Sequence, residues 1–206
     1  MKEFNTHAGN VRLVGGRLCL DFVNAAVFDG RVLAKEYWHD YAAFTVWLRH
    51  AGALDAAAIE RAAVAAAEQP ADAAAALARA IELRGALFGL FGSAAAAHAP
   101  AAGDIAVLNA ALVGMPQPVA LAEQGGWLGW RWPAGAAALD LPIWPVLWSA
   151  VGLLVAPELA DVRMCAGPGC SWLFLDTSRN HTRRWCSMAD CGNVAKARRH
   201  YAQHRR

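Results

Sequence analysis

The chain has 206 residues, 57% of them hydrophobic and nine of them tryptophan, ample for a buried core within one or two domains, and its net charge is only +2. Residues 1–7 lack the apolar run of a secretory signal. The longest apolar stretch, residues 141–156, is too short to span a bilayer and is broken by Pro142 and Pro145, so a cytoplasmic protein with no membrane contact is expected.

In chain order, residues 10–26 open with Val11-Arg12-Leu13-Val14, a Gly15-Gly16 turn and then Arg17-Leu18-Cys19-Leu20-Asp21-Phe22-Val23-Asn24. Leu18, Leu20 and Phe22 alternate as in a strand, whereas Leu18, Phe22 and Ala25 fit a helix, and both readings stand. Cys19 lies in this apolar stretch and reads as a small core residue. Residues 41–51 form a helix with Phe44, Trp47 and Leu48 on one face and Gly52 as its stop. Asp55 caps a second helix that runs toward Gln69 and Pro70. Residues 72–98 make a long alanine-rich helix with Leu77, Ile81, Phe88 and Phe91 inward and Arg79, Glu82 and Arg84 as its polar groups. Asp104 is expected to cap a further short helix to Leu112, with Ile105, Leu108 and Leu112 facing in.

Composition then changes. Val119-Ala120-Leu121 and the alternating run Trp127-Leu128-Gly129-Trp130-Arg131-Trp132 flank a turn at Glu123 to Gly126, the pattern of a β-hairpin. Residues 140–156 follow as an interior helix carrying Trp144, Leu147, Trp148, Val151 and Leu154, ended by Pro157. The body shows no H-E-x-x-H, phosphate loop or G-x-S-x-G, and its acidic residues are scattered singly, so no enzymatic activity is expected.

The last forty-odd residues differ. Cys165, Cys170, Cys186 and Cys191 are spaced C-x4-C-x15-C-x4-C, two matched pairs suited to closing around one tetrahedral Zn²⁺. Four separate thiols or two disulfides are the competing readings. Against them, this stretch is too polar to bury free thiols, and nothing in the chain points to an oxidising compartment. Four thiolates leave no position for water, so the metal would be structural. His181, His200 and His204 are expected to stay outside that shell.

Charge is concentrated here too. Residues 161–206 carry nine lysines and arginines against three carboxylates, +6, whereas residues 1–160 carry ten against fourteen, −4. A basic tail on an acidic body points to a polyanion partner for the tail. After Trp172-Leu173-Phe174-Leu175 comes a polar loop ending in Arg183-Arg184-Trp185, and a helix is expected from Asn193 to about His204. At about 100° per residue, Val194, Ala197 and Tyr201 share one face, turned to the core, and Lys196, Arg199, His200, Gln203 and Arg206 the opposite one.

The string Phe174-Leu175-Asp176-Thr177-Ser178-Arg179-Asn180…Arg183-Arg184-Trp185-Cys186-Ser187-Met188…Cys191-Gly192-Asn193-Val194…Lys196 resembles the CGNR-type zinc finger, and residues 16–24 resemble the start of the ABATE domain that precedes this finger in bacterial proteins. The resemblance implies a stress-induced transcription regulator whose finger binds DNA, with the four cysteines as zinc ligands. Where the family motif ends in arginine this chain has Val194, so the contact of that arginine is missing.

The expected fold is therefore mainly α with a small β-hairpin: a multihelical domain over residues 1–160, then a four-cysteine zinc finger over residues 161–206. Arg179, Arg183, Arg184, Lys196 and Arg199 are the expected contacts to duplex DNA. A protein-binding or RNA-binding zinc module is the alternative. A small-molecule effector could act through the tryptophan-rich body, but no residue identifies one, and the sequence leaves the oligomeric state open.

Overall fold

The computed structural model describes residues 6–115, 120–124, 126–131 and 138–204. Its elements run α1 (Leu18–Val23), β1 (Ala26–Asp29), β2 (Val32–Glu36), α2 (Tyr41–Ala51), α3 (Ala56–Glu68), α4 (Pro70–Ala95), α5 (Ala102–Val113), β3 (Ala120–Gln124), β4 (Trp127–Arg131), α6 (Trp144–Leu154), β5 (Val162–Met164), β6 (Leu173–Leu175) and α7 (Asn193–His204). Among the described residues the strands pair as three separate antiparallel hairpins, β1–β2, β3–β4 and β5–β6, set on a helical body. No helix among the described residues is long and apolar enough to cross a membrane.

Local chemistry accounts for most of these limits. The carboxylates of Asp40 and Asp55 accept the Ala43 and Ala58 N–H groups, each at 2.7 Å, and so start α2 and α3. Pro70 opens α4 at its first turn, where its missing N–H costs nothing, and does not merely end α3. The ambiguous stretch at residue 18 resolves as a helix, because its Cys19, Leu20, Phe22 and Val23 are all buried against α6 and α4. Burial pushes the Cys19 thiol up to about 11, as befits a core residue. The centre of the core is aromatic: Phe22, Trp38, Phe44 and Trp47 pack with ring centroids 4.8 to 6.4 Å apart.

Several residues sit differently from their sequence pattern. Hairpin β1–β2 escapes the reading by hydrophobic periodicity, although Asp29-Gly30 between two apolar runs is a strong turn signal. Gly30, at φ 58°, supplies the left-handed conformation that this tight turn requires. Asp104 is not the cap of α5, which starts at Ala102. Its buried carboxylate instead accepts a 2.6 Å bond from Arg31, whose guanidinium lies where a Cβ on Gly89 would be. Ile105 is exposed, and Leu108 carries the buried side of α5. Helix α6 begins only at Trp144, after a 3₁₀ turn at Leu141–Ile143. Its buried arc runs through Trp144, Val146, Leu147, Ala150 and Leu153, leaving Trp148 at the rim.

Arg84 is the largest departure. Expected on the surface of α4, it is fully buried, donates to the Ala25 carbonyl at 3.2 Å and to both carboxylate oxygens of Glu36, and stacks 4.3 Å over Trp38. The Glu36 carboxylate also takes the Tyr37 and Trp38 N–H groups, at 2.8 and 2.9 Å. This compensated charge ties β2 to α4 across the core. Strands β3 and β4 pair from Ala120↔Arg131 to Gln124↔Trp127, as the alternation predicts; Val119 and Trp132 lie outside the described residues.

Strands β5 and β6 position the tail. Val162, Leu173 and Leu175 belong to the body's own core, whereas Phe174, pointing the other way as strand geometry requires, packs with Cys165 and Cys186. One three-residue strand thus serves two clusters.

Candidate metal centre

Each cysteine of the tail is placed by its own local structure. Cys165 leaves β5 with its N–H bonded to the Trp172 carbonyl at 2.9 Å. Cys170 closes the following turn, its N–H reaching the Gly167 carbonyl at 3.0 Å. Cys186 follows the basic loop, and Cys191 sits in a π-turn, Met188–Gly192, that leads directly into α7. All four are free thiols, and their sulfurs lie within 4.8 Å of one another, which sets aside the disulfide reading.

The donor set fits zinc. Tetrahedral Zn–S bonds of about 2.3 Å need sulfurs about 3.8 Å apart. The Sγ atoms of Cys170 and Cys186 are 3.8 Å apart, and those of Cys186 and Cys191 3.7 Å. Backbone N–H groups of Gly167 and Cys186 point at the Cys165 sulfur, at 3.4 and 3.3 Å, as they would at a thiolate. Gly167 is required by space: a Cβ there would stand 2.8 Å from the Cys191 sulfur and 3.3 Å from that of Cys165.

Without a cation the cluster cannot ionise as a whole. Hydrogen bonds from Cys170 and Cys186 hold the Cys165 thiol far below its usual range. The contact with Cys165 raises Cys170 and Cys186, and burial followed by the charge on Cys165 raises Cys191. A divalent ion among them removes that conflict and lets all four act as thiolates. Bound there, zinc would supply closure of the fold and no chemistry.

The basic loop beyond β6 is held by Asp176. Its buried carboxylate accepts the Ser178 N–H and hydroxyl, at 2.9 and 2.6 Å, and the Arg183 N–H at 2.8 Å. Burial alone would raise its pKa, but these bonds outweigh it and hold the group below the usual carboxylate range. His181, in the left-handed region at φ 47°, places Nδ1 2.7 Å from the Asp161 carboxylate, away from the sulfurs.

The expected nucleic-acid contacts divide. Arg179, Arg184, Lys196 and Arg199 are exposed, and Arg198, which the sequence reading passed over, joins them on α7. The signal for Arg198 was simply its place beside Arg199 on a helix with no buried face. Arg183 differs: it is half-buried, donates from Nε to the Trp185 carbonyl at 2.9 Å and from its guanidinium to the Cys186 carbonyl, and lies 4.3 Å over the Phe174 ring. It braces the ligand loop from within.

The inward face expected for α7 is also absent. Val194 is 41% exposed and Tyr201 70% exposed. The helix leaves the π-turn and packs chiefly against that turn, while Val14, Trp172 and Trp185 cover the cysteine–Phe174 cluster instead.

Comparison with known families matches residues 16–157 to the ABATE family, described as "Putative stress-induced transcription regulator", and residues 162–204 to the CGNR zinc finger. No curated protein matches the chain. Together with the four clustered sulfurs, the finger match supports one structural zinc ion.

Proposed function

Because the chain belongs to the ABATE family and ends in a CGNR zinc finger, we propose that it is a DNA-binding transcription regulator whose finger meets duplex DNA through phosphates. Cys165, Cys170, Cys186 and Cys191 hold the zinc. The ion fixes the loop carrying Arg179 and Arg184 relative to α7, which carries Lys196, Arg198 and Arg199.

The observation that carries this reading is electrostatic. Those five cations are exposed and, among the described residues, none is paired with a carboxylate, while Asp161 and Asp176 of the same tail are engaged internally. Exposed unpaired cations on a rigid frame are what phosphate recognition uses, because binding releases the counterions of the duplex. Among the described residues no set of side chains forms a clear base-reading pair, so affinity comes mainly from the phosphates. Four closed thiolates leave no site for activating water, so the metal takes no part in catalysis.

Met188, Val194 and Tyr201 are exposed along the π-turn and α7, and they favour a protein partner as the second reading. A salt titration on a mixed-sequence duplex separates the two. Five phosphate contacts give a slope of log K against log salt of about −4 to −5, from roughly 0.9 per phosphate. Replacing Lys196 and Arg199 together with alanine should lower that slope by about two units with zinc content unchanged. Equal slopes for wild type and double variant would leave the protein-partner reading standing.

A further inference from the structure

Residues 12–16 of the body run along the finger as a strap. Arg12 forms an ion pair with Asp190 in the π-turn ahead of α7. Val14 packs on the cluster of Cys165, Phe174 and Cys186. The Gly15 carbonyl accepts the Leu175 N–H at 2.9 Å, and a Cβ on Gly16 would stand 3.5 Å from the Leu175 Cβ. The strap leads to Arg17, which has extended backbone at φ −146° and ψ 144° and is exposed; its carbonyl accepts the Leu20 and Asp21 N–H groups, and its guanidinium is in no ion pair among the described residues.

This placement changes the charge of the finger. Of its three carboxylates, Asp176 is buried under three hydrogen bonds and Asp161 takes His181 and Arg163. Asp190 alone stands at the approach to α7, 41% exposed, and the body supplies the arginine that offsets it. An isolated ion pair this exposed adds little stability. Its larger effect is on the field: an uncovered carboxylate in the turn that leads into α7 would oppose the approach of phosphates to the helix that carries Lys196 and Arg199.

We propose that this strap is part of the nucleic-acid surface, Arg12 acting by neutralising Asp190 and Arg17 by meeting a phosphate directly, so that duplex DNA is held by the body and the finger together. The inference rests on the DNA-binding reading above and extends it to residues outside the finger. Arg12 is a positioning residue in this scheme and Arg17 a contact.

The test uses the full zinc-loaded chain and a mixed-sequence DNA duplex, with salt titrations of Arg17→Ala, Arg12→Ala, Arg12→Ala combined with Asp190→Asn, and Lys196→Ala as reference. Arg17→Ala should lower the slope by about 0.9, as Lys196→Ala does. Arg12→Ala should weaken binding at low salt, and adding Asp190→Asn should restore it, which a merely structural loss would not allow. Zinc content, measured in every variant, separates misfolding from lost contact. Wild-type slopes for Arg17→Ala and Arg12→Ala beside a lowered slope for Lys196→Ala would overturn the strap and leave the finger as the DNA site. A wild-type slope for Lys196→Ala as well would overturn the DNA reading itself. Failure of Asp190→Asn to rescue Arg12→Ala would overturn the neutralising role, and tighter binding of duplex RNA than of DNA at equal salt would overturn the choice of partner.

Discussion

The side-chain amide of Asn24 pairs with the backbone of Leu173 as a neighbouring strand would: its Nδ2 donates to the Leu173 carbonyl and its Oδ1 accepts the Leu173 N–H, both at 2.8 Å. Asn24 is buried, and Leu173 lies on the hairpin that carries the first two cysteines. One side chain at the end of α1 therefore satisfies both outward backbone groups of Leu173 in β6. The neighbouring bonds from Trp172 Nε1 to the Ala26 carbonyl, at 3.1 Å, and from the Phe28 N–H to the Ser171 hydroxyl, at 2.9 Å, continue the same seam.

Asn24→Ala should therefore destabilise the whole chain and not the finger alone. It leaves a buried N–H and a buried carbonyl without partners, at about 1–3 kcal/mol each when unsatisfied. A lowered denaturation midpoint at saturating zinc, with an unchanged denaturant slope, is the expected result. A loss below about 0.5 kcal/mol, the range of ordinary surface substitutions, would mean that water replaces the amide and that the seam is not tight.

The cysteine cluster and most helices were legible because each rests on a local rule. Thiolate spacing marked the metal site, Asp40 and Asp55 are side-chain caps, and Phe44, Trp47 and Leu48 recur at helical spacing. What escaped depends on contacts across the chain. Arg84 looks like any surface arginine of an alanine-rich helix until Glu36, 48 positions away, is brought beside it. Arg183 looks like a free cation until Asp176 folds the loop back and Phe174 offers its ring. A helical wheel shows that Val194 and Tyr201 share a face, but it cannot show whether anything covers that face.

Removing zinc should dissect the tail along its two cores. Val162, Leu173 and Leu175 are anchored in the body, while Phe174 and the basic loop depend on the cysteine cluster. With a chelator, the amides of Ala166, Arg183 and Gly192 should lose hydrogen-exchange protection, since each donor lies within three residues of a ligand cysteine. The amides of Leu173 and Leu175, bonded to Asn24 and to Gly15, should keep theirs. Loss of protection at all five amides together would show a single cooperative unit.

Asp21 makes stability depend on pH in a defined window. Burial raises its pKa from 3.8 to about 6, even though its carboxylate accepts the Gly15 N–H at 2.8 Å. A raised folded-state pKa means that the folded chain binds more protons than the unfolded one between those values. Its contribution is thus favourable at pH 4, is lost as pH rises to about 6, and is flat above. The full effect is at most about 3 kcal/mol, from 1.36 kcal/mol per pKa unit. Asp21→Asn keeps an acceptor for Gly15 and removes the charge, so its stability advantage over wild type should grow from pH 4 to pH 6. A difference that does not change over that range would show that Asp21 is solvated in the folded chain.

Val194 tests the one departure from the family motif. With 41% of its surface exposed and α7 packed chiefly on the π-turn, a longer side chain there can extend into solvent. Val194→Arg should leave zinc content and the denaturation midpoint within about 0.5 kcal/mol of wild type, the usual range for surface changes. The new guanidinium enters the first turn of a helix that already presents Lys196, Arg198 and Arg199. Duplex DNA should then bind more tightly, with the salt slope steeper by up to about 0.9. An unchanged slope would place this edge of α7 away from the phosphates, and loss of zinc would mean that Val194 supports the metal centre after all.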